Sequence, residues 1–86
     1  MRECAICGST QWLELHHVYN GPFRKKSERF GAVVDLCHFC HNEPPNGVHH
    51  NAENMRKLKA IYQEKIMEEY GMTERDFIRE FGKSYL

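Results

Sequence analysis

The sequence predicts a small α+β domain in which a metal-stapled β-hairpin precedes a long amphipathic helix and a short final helix. Three observations predict this class. Four cysteines fall as two C-x2-C pairs, residues 1–40 are rich in turns and short β-like runs, and from Ala52 the apolar residues recur with helical spacing. The chain has 86 residues. A core of this size needs a disulfide or a metal to offset chain entropy.

Charge and hydropathy narrow the possible partners. The formal net charge is zero, so any attraction to nucleic acid must come from local patches. No apolar run is long enough for a secretory signal or a membrane span. We therefore expect a cytoplasmic protein with reduced thiols, no membrane partner, and a monomeric or weakly dimeric state.

Two segments are predicted to form the strands of the hairpin. They are "WLELHHV", residues 12–18, and "AVVDL", residues 32–36, both enriched in β-branched and aromatic residues. The basic stretch between them, "PFRKKSERFG", is expected to be a hairpin loop. Because side chains alternate along a strand, the adjacent His16 and His17 should point to opposite faces.

The second half of the chain is predicted to be mainly helical. The segment "HNEPPNGVHHN", residues 41–51, should be a loop, because consecutive prolines and an Asn-Gly pair oppose regular structure. A long helix should then run from Ala52 to a stop at Gly71. Its apolar stripe consists of Met55, Leu58, Tyr62, Ile66 and Tyr70.

A shorter helix is expected to follow. Thr73 is an N-cap residue type with Asp76 three residues later, and Gly82 should end the helix. This helix should bury three residues, namely Phe77, Ile78 and Phe81.

The spacing of the cysteines indicates a structural zinc site. Two residues between cysteines allow both thiolates of a turn to reach one ion, and two such knuckles complete a closed tetrahedral site. The predicted ligands are Cys4, Cys7, Cys37 and Cys40. The alternatives are redox dithiols or unrelated buried cysteines, but no thioredoxin-like βαβ pattern surrounds either pair. Zinc would hold the hairpin in register.

The six histidines indicate a second metal site. They fall into three groups, which are His16 with His17, His38 with His41, and His49 with His50. Three protein ligands with one open position are typical of a catalytic ion. For His38 or His50 taken singly, an ordinary polar role is the plainer interpretation.

The arrangement of these motifs resembles a known enzyme family. "LELHHVYNG", "VVDLCHFCHN" and a further histidine are similar to the HNH endonucleases, which have a ββα-metal fold. The layout down to "FGKSYL" is similar to small phage-type and prophage-type members. The resemblance implies a bacterial or phage-encoded protein with a single nuclease domain over residues 1–86. Residues 1–50 would hold the knuckles, hairpin and active-site loop, and residues 51–86 the helical part.

The resemblance assigns roles to individual histidines. The first residue of the pair, His16, would be a metal ligand and the second, His17, the general base. His41 follows the knuckle and would also bind the catalytic ion. The usual place of the third ligand is Pro45, which has no donor, so His49 in "VHHN" is favoured over His50.

The central asparagine of the family also lacks a counterpart. Its usual position is occupied by Ala32. We therefore expect either Asn20 or a backbone carbonyl to orient the catalytic histidine.

The implied chemistry is metal-dependent hydrolysis of DNA phosphodiester bonds, by nicking or double-strand cleavage. A neutral imidazole can accept a proton from water near neutral pH. The resemblance implies a catalytic ion chosen from magnesium, manganese, zinc and nickel. Three imidazoles suit the transition metals better than magnesium, and manganese or zinc is preferred. Products would carry 5′-phosphate and 3′-hydroxyl ends.

Basic residues between the strands are the candidate DNA contacts. They are Arg24, Lys25, Lys26 and Arg29. Arg24 is preferred because its guanidinium can clamp a phosphate, and a solvated charged loop is the alternative. A second basic patch on the long helix consists of Arg56, Lys57 and Lys59.

A function of another class is also compatible with the sequence. The chain could be a non-catalytic zinc-binding module that binds nucleic acid or serves phage assembly. Such a module has no need of a base beside a metal ligand, and that feature favours the nuclease.

Overall fold

A two-stranded antiparallel sheet packs against four helices in this computed structural model, which describes residues 2–86. The strands are β1 (Leu13–His17) and β2 (Val33–Cys37). The helices are α1 (Arg24–Arg29), α2 (His38–Asn42), α3 (Ala52–Tyr70) and α4 (Glu74–Phe81), with short 3-10 turns at Gly21–Phe23 and Val48–His50. The α+β class predicted from the sequence is confirmed.

The hairpin separates the two adjacent histidines. His16 pairs with Val34 and His17 pairs with Val33 in the register of β1 and β2. His16 is buried with its strand partner against the core, whereas His17 lies on the other face. The first cysteine knuckle is attached to this sheet because the Ala5 N–H donates to the Asp35 carbonyl at 2.9 Å.

The connection between the strands is not the loop that the sequence predicts. Residues 24–29 form α1, after a 3-10 turn that contains a proline at its start. The Arg-Lys-Lys-Ser-Glu-Arg stretch consists mostly of good helix formers, which explains the difference. Ser27 fixes α1 to the chain after β1: its Oγ donates to the Tyr19 carbonyl at 2.6 Å and accepts from the Tyr19 N–H at 2.9 Å.

The predicted loop over residues 41–51 is correct only for its central part. Helix α2 includes His41 and Asn42, and Val48–His50 form a 3-10 turn. The turn between them requires a glycine, since a Cβ on Gly47 would lie 2.7 Å from the backbone N and O of Glu43. This close approach of two backbone segments brings His49 back toward α2.

The ends of α3 and α4 agree with the prediction. The Asn51 side chain caps α3 by accepting from the Asn54 N–H, and Gly71 ends it with a φ of 64°. Thr73 and Asp76 form a reciprocal capping box at the start of α4. Gly82, with a φ of 87°, ends α4.

The core is an aromatic cluster beneath the end of β1. The Tyr19 ring lies 5.5 Å from the Phe77 ring and 4.5 Å from the Phe81 ring, and all three are buried. Ile78, which the sequence places in the core, is exposed, because Phe77 and Phe81 take the i, i+4 face of the short helix. Within residues 2–86, no helix has the length and apolar character needed to cross a membrane.

Candidate functional site

The four cysteines converge at one end of the hairpin. Their sulfur atoms all lie within 4.8 Å of one another, a group that could hold a metal ion such as zinc. The Cys7 and Cys37 sulfurs are 3.6 Å apart, and an edge of a tetrahedral zinc–thiolate site is about 3.8 Å for Zn–S bonds near 2.3 Å. The sulfur atoms of the four predicted ligands are therefore spaced suitably for a tetrahedral ion.

Backbone N–H groups in the first cysteine pair can stabilise a thiolate at Cys4. The N–H groups of Ile6 and Cys7 point at the Cys4 sulfur at 3.4 and 3.5 Å. Burial opposes ionisation of Cys4, but hydrogen bonds from the backbone of Cys7, Cys37 and Ile6 and from the Cys7 thiol outweigh it and lower the Cys4 pKa to about 6. Burial and the neighbouring sulfurs raise the pKa of Cys40. A bound cation would favour the thiolate at every position of the group.

Three histidines form a second group that could hold a metal ion. His16 comes from β1, His41 from α2 and His49 from the 3-10 turn before α3, and their ligand atoms lie within 4.8 Å of one another. The Nε2 atoms of His41 and His49 are 2.9 Å apart. Two nitrogen ligands on a tetrahedral zinc ion would be about 3.3 Å apart. His50 is exposed and does not belong to this group.

The His16 imidazole has an unsatisfied nitrogen. Its Nε2 atom is buried and has no hydrogen-bond partner within residues 2–86. Burial, followed by the charges of His41 and His49, lowers the His16 pKa to about 4. His16 is therefore neutral at neutral pH, which is the form that binds metals. An orphaned buried nitrogen facing two other imidazoles fits a metal ligand better than a packed core residue.

Glu14 orients His41 from the side away from this group. Its Oε1 lies 2.8 Å from His41 Nδ1 and 3.0 Å from Asn42 Nδ2. A carboxylate can only accept, so Nδ1 carries the proton and Nε2 keeps its lone pair. The His38 Nδ1 atom contacts the other oxygen of Glu14 at 3.1 Å. Hydrogen bonds from His41 and then His38 lower the Glu14 pKa. This is the carboxylate–histidine arrangement that commonly supports metal ligands.

Glu28 holds His17 in a similar way. The Oε1 atom of Glu28, on α1, lies 2.8 Å from His17 Nε2. The same argument assigns the proton to Nε2 and leaves Nδ1 as the acceptor of the neutral ring. This hydrogen bond lowers the Glu28 pKa. Within residues 2–86 the hydrogen-bond partner of the His17 ring is therefore Glu28, and not Asn20 or a backbone carbonyl, the two groups that the sequence suggested.

Four histidines line an open cleft with a volume of about 240 Å³, namely His16, His17, His41 and His49. Arg24 and Asn20 also line it, so one predicted DNA contact lies beside the histidines. The Lys26 ammonium is instead bound to the Glu80 carbonyl at 2.8 Å. The Arg29 guanidinium lies over the Phe30 ring at 5.3 Å. Lys25, Lys26 and Arg29 are not among the residues lining the cleft.

Neither carboxylate is among the site residues predicted from the sequence. Glu14 had a usable signal, because it lies two residues before His16 and therefore on the same face of the strand. Glu28 had no such signal as long as residues 24–29 were predicted to form a loop. A helix over residues 24–29 is needed to bring it back to the end of β1.

Taken together, the site offers three metal-type imidazoles, a fourth imidazole held as a proton acceptor, and a guanidinium at the cleft wall. This set can bind a divalent ion and deprotonate a water molecule beside a bound anion. Comparison with protein-family models, curated proteins and solved structures gave no match.

Proposed function

We propose that this protein is a metal-dependent endonuclease of the HNH type that hydrolyses phosphodiester bonds of DNA. One observation carries the proposal. The histidine that the resemblance assigns as base, His17, is held by Glu28 at 2.8 Å, on the strand position next to His16 of the three-histidine group. Three imidazoles that could hold a metal ion and a fourth that is hydrogen-bonded to a carboxylate thus line one cleft.

His17 acts as the general base. Glu28 fixes the Nε2–H tautomer, so Nδ1 takes a proton from the attacking water. The water oxygen forms a bond to phosphorus while the bond from phosphorus to the 3′ oxygen breaks. The products therefore carry a 5′-phosphate and, after protonation of the leaving oxygen, a 3′-hydroxyl.

His16, His41 and His49 would hold the catalytic ion. When bound, a divalent ion supplies stabilisation of the negative charge that develops on the phosphate and leaving oxygens. Glu14 keeps His41 in the tautomer that presents Nε2 to the group. Three imidazoles suit transition metals better than magnesium, and manganese or zinc is the favoured ion in this proposal.

Arg24 positions the substrate. Arg24 lines the cleft, and the planar donors of its guanidinium can bind two oxygens of one phosphate. A zinc ion at the cysteine group would have a different role. Held by Cys4, Cys7, Cys37 and Cys40, it would join the segment before β1 to the end of β2 and so fix the hairpin that carries His16 and His17.

A plasmid-relaxation assay tests the proposal. Supercoiled plasmid is incubated with the protein after the histidine site has been stripped by brief chelation, and single metals are then added back. Relaxation or linearisation that requires added manganese or zinc supports the nuclease. Plasmid binding without cleavage under every metal supports the alternative, a non-catalytic nucleic-acid-binding module.

A further inference from the structure

Three basic side chains converge on Tyr85 near the end of the chain. The Lys59 and Lys83 ammonium groups lie 5.2 and 5.1 Å from the centroid of its ring. The Arg56 Nη1 atom donates to the Tyr85 carbonyl at 3.5 Å. We call Arg56, Lys59, Lys83 and Tyr85 the Tyr85 cluster. It joins the middle of α3 to the segment after α4.

The basic side chains of the Tyr85 cluster have no ion-pair partner within residues 2–86. None of the ion pairs found in residues 2–86 includes its arginine or either lysine. Lys57, on the same helix, differs because it pairs with Glu53 at 3.5 Å. Burial, and then the charge of Lys83, lowers the Lys59 pKa. Gathering like charges is unfavourable, and a bound anion would relieve the repulsion.

The Tyr85 cluster lies close to the histidine cleft. The Tyr19 hydroxyl donates to the Lys59 carbonyl at 2.6 Å, and the Tyr19 ring lies 5.8 Å from the Tyr85 ring. Tyr19 is two residues beyond His17 in the chain. Tyr19 thus connects the cluster to the end of β1 that carries His17.

We propose that the Tyr85 cluster binds a backbone phosphate of the DNA on one side of the cut. The inference rests on the proposed function, and it adds a contact outside the cleft. Two lysines held on one aromatic ring provide preorganised point charges, and the guanidinium of Arg56 provides planar donors. A phosphodiester matches this set, since it is an anion with two exposed oxygens.

DNA binding by charge-matched double variants tests the proposal. All proteins carry His17→Ala, which prevents cleavage, and fluorescence anisotropy of a short labelled duplex gives the affinity across a salt series. Lys59→Gln with Lys83→Gln should weaken binding about 3-fold to 30-fold and lower the slope of log K against log salt by about 1 to 2. Lys65→Gln with Arg75→Gln removes the same charge from exposed positions outside the cluster and should change both quantities much less.

Two further measurements make the outcome decisive. Lys59→Arg with Lys83→Arg should restore the affinity, and circular dichroism and zinc content verify that each variant is folded. Equal weakening by both Gln pairs would overturn the proposal, because net charge alone would then explain the effect. If the wild-type protein does not cleave DNA but the Lys59→Gln, Lys83→Gln pair still weakens DNA binding, the result counts against the proposed function only. No binding of the duplex by any protein would overturn the proposal and remove DNA as a partner.

Discussion

The Nε2 atom of His17 lies 2.8 Å from the Oε1 atom of Glu28, so an imidazole on β1 is held by a carboxylate on α1. The His17 side chain is only 10% exposed, whereas that of Glu28 is 62% exposed. The pair therefore lies at the rim of the cleft. The hydrogen bond to Glu28 fixes the tautomer of the neutral His17 ring, with the proton on Nε2 and the lone pair on Nδ1.

Removing this carboxylate should impair the proton transfer. We expect Glu28→Ala to lower the rate of DNA cleavage by about 10-fold to 100-fold, less than the 100-fold to 10,000-fold expected for loss of the base itself. Glu28→Gln should fall between Glu28→Ala and wild type, since its carbonyl oxygen can still accept from Nε2–H. Steady-state cleavage of a short duplex, with kcat and KM determined separately, checks this prediction.

A matched carboxylate provides the control for Glu28. Glu53 pairs only with the exposed Lys57 on α3, so Glu53→Ala should leave kcat unchanged. The metal content of the Glu28 variants should equal that of wild type, because Glu28 contacts the base and none of the three metal-type histidines. Normal kcat in Glu28→Ala would show that His17 needs no orienting partner.

Glu14 should affect metal binding where Glu28 does not. We expect Glu14→Gln to weaken binding of manganese or zinc to the histidine group by about 10-fold to 100-fold, the usual cost of losing a carboxylate behind a histidine ligand. The physical reason is loss of the charge that fixes His41 Nδ1–H. Titration calorimetry on protein that retains its thiolate-bound zinc measures the change. An affinity equal to that of wild type would contradict a supporting role of the Glu14 carboxylate behind His41.

Replacement of one cysteine should unfold the hairpin. Cys37 is buried at the end of β2, and small metal-binding domains draw much of their folding free energy from the ion. We expect Cys37→Ser to lose its tightly bound zinc and its thermal unfolding transition. Circular dichroism and elemental analysis check both. Retention of full zinc and an unchanged spectrum would contradict a structural role for this group.

Local signals in the sequence were sufficient for much of the fold. The C-x2-C spacing identified the four thiols that the structure brings together, and Gly71, Thr73 and Gly82 marked helix ends through their cap chemistry. These features depend on residues close together in the chain. The backbone at each position restricts which residue types are favourable, so the pattern could be read directly.

The contacts that depend on distant elements could not be predicted in the same way. Glu28 reaches His17 only because residues 24–29 are helical, and the place of that stretch between two predicted strands suggested a loop. Lys59 and Lys83 meet at Tyr85 only after α4 has packed on Tyr19. Spacing in the sequence carries no record of such tertiary contacts.

The central claim is tested most directly by measuring metal content and DNA cleavage together on His17→Ala and His16→Ala at saturating metal. His17→Ala should lose about 100-fold to 10,000-fold in cleavage rate, as expected for a lost general base, yet still bind the second ion. His16→Ala should lose both the second ion and the activity, while the thiolate group keeps its zinc. Release of the ion by His17→Ala with retention by His16→Ala would show that the two roles are exchanged. Normal cleavage by both variants would contradict the nuclease itself.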